Sequence, residues 1–327
     1  MTDNVILRVK DLKTYFKLDD GILKAVDGVS FDLHAGETLA IVGESGSGKS
    51  VTNLSIMNLV QSPPGWIAGG EVWFNGKDIL KMPPEEIRTI RGNKISMIFQ
   101  DPMTSLNPFL RISTQMIETI VLHQGLSKKD AKDKAIEMLK MAGIPAAEKR
   151  VDNYPHQFSG GMRQRVMIAM ALSCNPEILI ADEPTSALDV TIQAQILDLI
   201  GDLTARLGTA VIMITHSLGV VAGMCDTVCV MYAGRVVEQG PVGTLFSNPK
   251  HPYTKGLIKS VPRLDKTNDQ RLYSITGQPP NVINLPECCP FYPRCEFVKE
   301  VCRNTYPATV HTADGLDVSC WLYPEEH

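Results

Sequence analysis

A glycine-rich octapeptide, Gly43-Glu44-Ser45-Gly46-Ser47-Gly48-Lys49-Ser50, has the residue types and spacing of a phosphate-binding loop. Its glycines let the backbone curl so that successive N–H groups point at phosphate oxygens. Lys49 would reach the β- and γ-phosphates of a nucleotide, and the Ser50 hydroxyl would ligate Mg²⁺. An apolar run at 39–42 precedes the loop and a helical pattern follows it. This context favours phosphate binding over the alternative, a flexible Gly/Ser turn.

Two adjacent acids, Asp182 and Glu183, follow another apolar run. Ligands of open parallel sheets bind at the carboxyl ends of the strands, so Asp182 is placed to hold the magnesium shell. Glu183 could orient or deprotonate an attacking water. The alternative for two such acids is a solvated turn, and the presence of the phosphate loop favours catalysis.

The elements that must position these residues alternate between strand and helix patterns. Buried strands separated by helices predict an α/β fold with a mostly parallel sheet covered on both faces. Strand signals stop between 101 and 159, where helical segments, clearest at 128–141, predict an all-helical insert. The predicted strands are 38–42, 95–99, 178–181, 210–214 and 227–231, and the predicted helices of the sheet region are 50–60, 192–207 and 218–224.

The composition is that of an ordinary globular protein. The chain has 327 residues, a formal net charge of −4, 44% hydrophobic and 21% charged residues. This mild acidity gives no electrostatic reason to expect a nucleic acid as partner. No apolar stretch approaches the roughly 18 residues of a membrane span, and the first residues lack a signal-peptide pattern. We therefore expect the chain to stay in the cytosol.

The last part of the chain differs from the rest in its cysteine and proline content. Five of the eight cysteines and nine of the 21 prolines lie after His251. The sequence therefore predicts a domain over 1–250 and a Cys-rich C-terminal extension over 251–327.

A serine-glycine motif and three others resemble the ATP-binding cassette family. Phe158-Ser159-Gly160-Gly161-Met162 lies shortly before Asp182 and is similar to the family's signature, which usually reads Leu-Ser-Gly-Gly-Gln. Gln100 and the residues after it resemble the Q-loop. Ser186-Ala187-Leu188-Asp189 resembles the D-loop, and His216 the switch histidine. The resemblance covers about residues 5–250.

The resemblance implies a fold and an assembly. The fold would be a RecA-like parallel-sheet core with an antiparallel β subdomain and a helical subdomain over about 101–165. In the family two cassettes pack head to tail, and each signature closes over the ATP held by the partner's phosphate loop. An aromatic residue near the start would stack on adenine; Phe16 fits the family spacing, and Tyr15 is the second choice.

The resemblance also implies roles for individual residues. Catalysis would rest on Lys49, Gln100, Glu183 and His216, and Mg²⁺ would be held by Ser50, Gln100 and Asp182. The residues expected to contact the nucleotide are Phe16, Gly43, Ser45, Gly46, Ser47, Gly48, Lys49, Ser50, Val51, Gln100, Ser159, Gly160, Gly161, Asp182 and Asp189.

The tetrapeptide His251-Pro252-Tyr253-Thr254 narrows the resemblance to ATPase subunits of dipeptide, oligopeptide and nickel importers. This implies an ATP-hydrolysing subunit at the cytoplasmic face of a membrane. Its partners would be two transmembrane permease subunits, an extracytoplasmic solute-binding protein and a second cassette. A homologous heterodimer is expected, with a homodimer as the alternative. Peptide is the expected cargo; nickel or another solute, or a soluble cassette ATPase without transport, are the alternatives.

Four cysteines of the extension, Cys289, Cys295, Cys302 and Cys320, match the pattern of related importer ATPases that carry an iron–sulfur cluster. We expect a [4Fe–4S] cluster, with zinc as second choice and uncoordinated thiols as third. Arg294 and Arg303 would offset the negative charge of the cluster. Cys288 is left over, and the residues expected in the core are Cys174, Cys225 and Cys229.

Overall fold

The computed structural model describes residues 4–101, 105–186, 188–260 and 274–323, and its contacts divide the chain into two compact units. Met1–Leu33, Thr38–Leu80 and Thr215–His327 form the first unit. His34–Glu37 and Lys81–Ile214 form the second. Each unit thus combines segments that are distant in the sequence, and the boundary expected near residue 250 stays a prediction.

The strands and helices are numbered in chain order. The strands are β1 (Val5–Leu18), β2 (Gly21–His34), β3 (Thr38–Val42), β4 (Gly65–Phe74), β5 (Lys77–Asp78), β6 (Ile95–Ile98), β7 (Ile178–Asp182), β8 (Ala210–Ile214), β9 (Thr227–Tyr232), β10 (Arg235–Pro241), β11 (Val310–His311) and β12 (Asp317–Val318). The helices are α1 (Lys49–Ile56), α2 (Pro84–Ile90), α3 (Ile112–Gln124), α4 (Lys128–Met141), α5 (Ala147–Arg150), α6 (Gly160–Leu172), α7 (Val190–Leu207), α8 (Leu218–Met224), α9 (Val242–Ser247) and α10 (Pro252–Ser260).

An antiparallel sheet in the first unit has the strand order β2-β1-β4-β5. Strands β1 and β4 pair with Leu7 opposite Phe74 and Tyr15 opposite Trp66. Leu7 and Val9, two residues apart in β1, are both buried, as expected for side chains on one face of a strand. The sheet supplies the antiparallel subdomain that the resemblance implied.

A second group of strands in the first unit carries the phosphate loop. β3 runs parallel to β9, with Ala40 opposite Val228, and β9 pairs antiparallel with β10. The short strands β12 and β11 of the extension continue this group beyond β10. The extension therefore shares a sheet and an apolar core with the strand that leads into the loop, through buried residues such as Tyr253 and Phe291.

The second unit contains three parallel strands in the order β8-β7-β6. Ile178 of β7 lies opposite Ile95 of β6 and Ala210 of β8. Every residue of β7 and β8 is buried, which explains why 178–181 and 210–214 appear in the sequence as uninterrupted apolar runs. Helices α3 to α5 lie within the stretch 101–159 where the sequence predicts helical segments, and α6 follows it. The buried face of α4 is formed by Ala131, Ala135, Met138 and Leu139.

The predicted elements agree closely with these bounds. Strands 38–42 and 210–214 and helices 128–141 and 218–224 have the predicted ends, and the strand predicted at 178–181 extends by one residue to Asp182. The helix predicted over 50–60 ends at Ile56, because Asn58 adopts a left-handed backbone conformation with φ 49°. Among the described residues, no helix has both the length and the apolarity needed to cross a membrane.

Candidate functional site

The phosphate loop joins β3 to α1, as its sequence context predicts. Gly43 and Gly48 have φ values of 156° and 101°, and Gly48 is the N-cap of α1. A Cβ atom at Gly43 would lie 2.2 Å from the Met231 carbonyl oxygen, and one at Gly48 would lie 2.2 Å from the Ala25 carbonyl oxygen. Both positions therefore require glycine for space as well as for conformation.

The side chains of the loop divide between its interior and its surface. Lys49 is 7% exposed, and its ammonium donates to the carbonyl oxygens of Gly43 (2.9 Å) and Glu44 (3.0 Å). The Ser47 hydroxyl is buried without a hydrogen-bond partner. Ser45, Gly46 and Ser50 are exposed, and Val51 is half-buried. A buried cation and an unsatisfied hydroxyl beside an α-helix N-terminus suit an anionic ligand.

The aromatic residues expected near adenine lie on β1 in the same unit. Phe16 is half-buried and its ring edge lies against Gly65, where an added Cβ would come within 2.6 Å of it. Tyr15 instead donates a hydrogen bond of 2.6 Å from its hydroxyl to Asp27 and packs edge-on against Trp66. The hydroxyl and ring of Tyr15 are therefore engaged by Asp27 and Trp66, and Phe16 stays the predicted adenine contact.

The two acids lie at the carboxyl end of β7 in the second unit. Asp182 is the last residue of the strand, opposite Ile214 of β8, and is 6% exposed. Glu183 has a left-handed backbone with φ 45°, and its N–H donates to the Ile214 carbonyl at 3.0 Å. A non-glycine residue held in this conformation stores backbone strain, a feature that concentrates at functional sites.

Gln100 and Glu183 meet in this unit although they are 83 residues apart. The Gln100 side-chain amide donates to a Glu183 carboxylate oxygen at 2.9 Å. Both residues follow the ends of neighbouring parallel strands, β6 and β7. Residues 102–104 of the expected Q-loop lie outside the described part of the chain.

The signature residues begin helix α6. Ser159 is the N-cap, and its hydroxyl accepts a hydrogen bond from the Met162 N–H at 3.4 Å. A Cβ added at Gly161 would lie 3.1 Å from the Ile192 side chain of α7, so the signature glycine permits close packing of the two helices. Asp189 likewise caps α7 by accepting from the Ile192 N–H at 3.1 Å. Ala187 of the expected D-loop lies outside the described residues.

His216 belongs to the first unit, two residues after the end of β8. Its side chain is exposed, and the turn around it is fixed by the Ser217 N–H, which donates to the Thr215 hydroxyl at 3.0 Å. The role of His216 as the switch histidine stays a prediction.

The predicted iron–sulfur cluster is wrong, and so is the second choice, zinc. Cys289, Cys295, Cys302 and Cys320 do line one cavity, but its volume is about 10 Å³, room for roughly one water molecule. Burial raises the pKa of Cys289 to about 12. The sulfur therefore stays a neutral thiol and not the thiolate that binds metals. Within the described residues, no set of three or more His, Cys, Asp or Glu side chains is arranged to hold a metal ion.

Arg294 has a different partner from the one expected. Instead of offsetting a cluster charge, its guanidinium donates two hydrogen bonds to the Glu44 carboxylate, at 2.7 and 2.9 Å. The other cysteines agree better with expectation, since Cys174 and Cys229 are buried and Cys225 packs at the edge of the core.

The tetrapeptide His251-Pro252-Tyr253-Thr254 has a structural role that its sequence did not reveal. The buried Glu238 carboxylate accepts from the backbone N–H groups of Lys250 (2.7 Å) and His251 (2.9 Å). His251 accepts from the Tyr253 N–H at its Nδ1, and burial lowers its pKa to about 3, so the ring is neutral. Only the presence of charged and aromatic residues at the start of the extension could have pointed to this arrangement.

Comparison with known proteins agrees with the geometry. Residues 26–186 match the ABC transporter family, and residues 237–302 match the C-terminal region of oligopeptide/dipeptide transporters. The oligopeptide transport ATP-binding protein OppD of Salmonella typhimurium is 54% identical over 99% of this chain and 95% of its own length. The dipeptide transport ATP-binding protein DppD of Bacillus subtilis is 51% identical over 97% of this chain and 94% of its own.

Solved structures confirm the fold. A dimeric post-hydrolysis state of the ATP-binding cassette MJ0796 bound to ADP and Pi superposes with a TM-score of 0.64 and 29% identity. The match covers 72% of this chain and 98% of that one. Because the sequence relatives extend over nearly the whole chain and the cassette fold is shared, this protein belongs to the ABC transporter family and, within it, to the oligopeptide and dipeptide transport ATP-binding proteins.

Proposed function

We propose that this chain is the motor subunit of a membrane importer that takes up peptides, driven by ATP hydrolysis to ADP and phosphate. The observation that carries the proposal is the phosphate loop, in which Lys49 is buried between backbone carbonyls beside the unsatisfied Ser47 hydroxyl. Relatives at 50% identity or more over nearly the whole chain, among them oligopeptide and dipeptide transport proteins, support peptides as the cargo.

The loop residues fit the phosphates of a nucleoside triphosphate. The backbone turns of Gly43, Gly46 and Gly48 leave no Cβ in the cradle, and the Lys49 ammonium can exchange its two carbonyl partners for phosphate oxygens. Ser45, Ser47 and Val51 complete the loop contacts, and Phe16 stacks on adenine. Ser50 is the residue of this loop that would hold Mg²⁺, which when bound would neutralise negative charge on the phosphates.

We assign the hydrolytic roles to four residues of the strand ends. Asp182 would help to hold Mg²⁺, and Gln100 would contact either the metal or the attacking water. Glu183 orients that water and accepts its proton, a role that suits a carboxylate already held by the Gln100 amide at 2.9 Å. His216 contacts the γ-phosphate and helps to hold the water in line.

The signature segment provides a second anion site that one cassette offers to another. Ser159, Gly160 and Gly161 lie at the N-terminus of α6, where backbone N–H groups and the helix dipole favour phosphate. Asp189 would lie with these residues at the surface where the two cassettes meet. ATP therefore closes a dimer of cassettes, and we propose a homologous second ATPase as the partner, with a homodimer as the other arrangement.

The permease subunits dock on the helical part of the second unit. Phe109 is 86% exposed and Leu122 is 74% exposed, and Leu110 beside Phe109 is also exposed. Large apolar side chains presented in this way mark an interaction surface. We place the subunit at the cytoplasmic face of the membrane, with the solute-binding protein on the opposite face.

Co-expression of the chain with its permease pair and second cassette tests the proposal. We expect one membrane complex that hydrolyses ATP, and a Lys49→Ala variant that assembles normally but has lost ATP binding. Phe109→Ser should weaken assembly while the free chain still binds ATP, whereas Phe297→Ser, also an exposed aromatic but in the first unit, should leave assembly intact. Failure to associate with permeases, or ATP binding retained by Lys49→Ala, would contradict the proposal.

A further inference from the structure

Two residues of the C-terminal extension contact the second residue of the phosphate loop. Arg294 donates to both carboxylate oxygens of Glu44, at 2.7 and 2.9 Å. The Glu44 N–H donates to the Tyr253 hydroxyl oxygen at 2.8 Å. Glu44 occupies a variable position of the loop motif, so the motif itself does not account for these contacts.

Arg294 is fixed in place by more than its ion pair. Its side chain is 4% exposed, and its guanidinium also donates to the carbonyl oxygens of Thr276 (3.1 Å) and Ile275 (3.3 Å) and to the Tyr232 hydroxyl (3.3 Å). A buried, bidentate guanidinium with these further acceptors has a single favourable orientation. The Glu44 carboxylate is therefore held by a rigid partner.

The position of the Tyr253 side chain is also fixed by its surroundings. Its ring is completely buried, with the Tyr232 ring centroid 4.6 Å away and the Phe291 centroid 5.5 Å away. Burial raises the pKa of Tyr253 above its ordinary value, so the phenol stays neutral and its oxygen can accept the Glu44 N–H. The backbone at Glu44 is thus fixed by a side chain that cannot move without opening this core.

The backbone carbonyl of Glu44 contacts Lys49 of the loop. The Glu44 carbonyl oxygen accepts from the Lys49 ammonium at 3.0 Å. One residue therefore uses its carboxylate and its N–H toward the extension and its carbonyl oxygen toward Lys49. The same carbonyl oxygen also accepts from the Ser47 N–H at 3.2 Å, so Glu44 joins the contacts of the extension to two residues of the loop.

We infer that Arg294 and Tyr253 are positioning residues for ATP binding, through which the extension sets the conformation of the phosphate loop at Glu44. The inference rests on the proposed function, in which this loop binds the phosphates of ATP. It assigns the extension a part in nucleotide affinity that does not depend on any metal in it.

The test compares steady-state kinetics of the assembled transporter with Arg294→Gln, Arg294→Lys and Glu44→Gln. Loss of the bidentate pair should raise the KM for ATP about tenfold and leave kcat within about twofold, because the loop is displaced while the hydrolytic residues are unchanged. Arg294→Lys should recover part of the affinity, since lysine keeps the charge but not the fork. The double variant Arg294→Gln/Glu44→Gln should add no further loss to that of either single change.

Two further variants separate this effect from general damage to the extension. Glu287→Gln removes an exposed ion pair of the extension with Lys24 but none of the contacts to Glu44, and should leave KM unchanged. Tyr253→Phe removes one oxygen from an otherwise intact core and should raise KM in the same direction as Arg294→Gln. This variant decides the question if Arg294→Gln does not fold.

The outcomes distinguish the inference from the proposed function. If Lys49→Ala abolishes ATP binding while Arg294→Gln, Arg294→Lys and Tyr253→Phe all keep the unaltered KM, the positioning role is refuted and the proposed function stands. If Lys49→Ala itself retains ATP binding, the proposed function is refuted. A fall in kcat with unchanged KM for the folded Arg294 variants would also contradict positioning through the loop.

Discussion

The side-chain amide of Gln100 donates a hydrogen bond of 2.9 Å to the carboxylate of Glu183. The two residues follow the ends of neighbouring parallel strands, β6 and β7, and the backbone of Glu183 is held at φ 45°. A carboxylate held by a neighbouring amide and by strained backbone is oriented before substrate binds. Preorganisation of this kind suits a residue that must direct a water molecule.

Glu183→Gln should stop hydrolysis and preserve ATP binding. The amide oxygen can still accept from Gln100, so the geometry is retained, but the proton-accepting carboxylate is lost. We expect turnover to fall at least about 100-fold with the dissociation constant for ATP within about threefold. Single-turnover hydrolysis and equilibrium binding measure the two quantities separately. Full turnover in this variant would rule out Glu183 as the base.

Gly48→Ala should destabilise the chain more than Gly46→Ala. Both glycines have positive φ, but an added Cβ lies 2.2 Å from a backbone oxygen at Gly48 and meets nothing within 4 Å at Gly46. We expect a loss of unfolding free energy of about 3 kcal/mol for Gly48→Ala and about 1 kcal/mol for Gly46→Ala. Denaturant unfolding of the two variants gives the difference, and equal losses would show that the close approach to Ala25 is incorrect.

Ser159→Ala should affect both stability and turnover, whereas a matched change at Ser127 should affect stability alone. Ser159 caps α6 and Ser127 caps α4, each by accepting a backbone N–H. Each substitution should cost about 1 kcal/mol of unfolding free energy. In the assembled transporter we expect Ser159→Ala to reduce ATP turnover about tenfold or more and Ser127→Ala to leave it unchanged. Equal turnover in the two variants would argue against a nucleotide contact at Ser159.

His251 should make the stability of the protein fall at acid pH. Burial lowers its pKa from 6.5 to about 3, so below pH 6.5 the unfolded chain binds a proton that the folded chain does not. Stability is therefore lost as the pH falls from 6.5 toward 3. Buried Glu238, whose pKa is raised, opposes this trend, but a comparison with His251→Asn cancels its contribution.

The expected difference can be measured in unfolding titrations at pH 7 and pH 5. The unaltered protein should lose about 2 kcal/mol more than His251→Asn over this interval. Asparagine keeps an acceptor for the Tyr253 N–H without a titrating ring. Parallel losses in the two proteins would show that His251 is not held neutral by the fold.

Features encoded by neighbouring residues could be predicted from the sequence. The phosphate loop, the strands that precede Gln100 and Glu183 and the helix over 128–141 follow from local periodicity, glycines and apolar runs. The strands β1 and β2 were not predicted, because charged residues on their outer faces interrupt the apolar pattern. These long strands are stabilised by pairing with segments distant in the sequence, which a local residue pattern does not reveal.

Relationships between distant residues could not be predicted. Arg294 and Glu44 are 250 positions apart, and the sequence suggested a cluster charge as the partner of Arg294. The four cysteines of the extension do share one cavity, but their spacing gave no information on its volume or on the burial that keeps Cys289 protonated. The spacing of cysteines in a sequence can indicate that they lie together, but it does not give the volume of the cavity between them.

The central claim, that ATP hydrolysis by this chain drives peptide uptake, is tested most directly in proteoliposomes. The complete transporter would be reconstituted with its solute-binding protein on one side and ATP on the other, and uptake of a labelled oligopeptide would be measured. We predict ATP-dependent accumulation by the unaltered protein and none by a complex that carries Glu183→Gln. Peptide accumulation that continues at the same rate in the Glu183→Gln complex would contradict the claim.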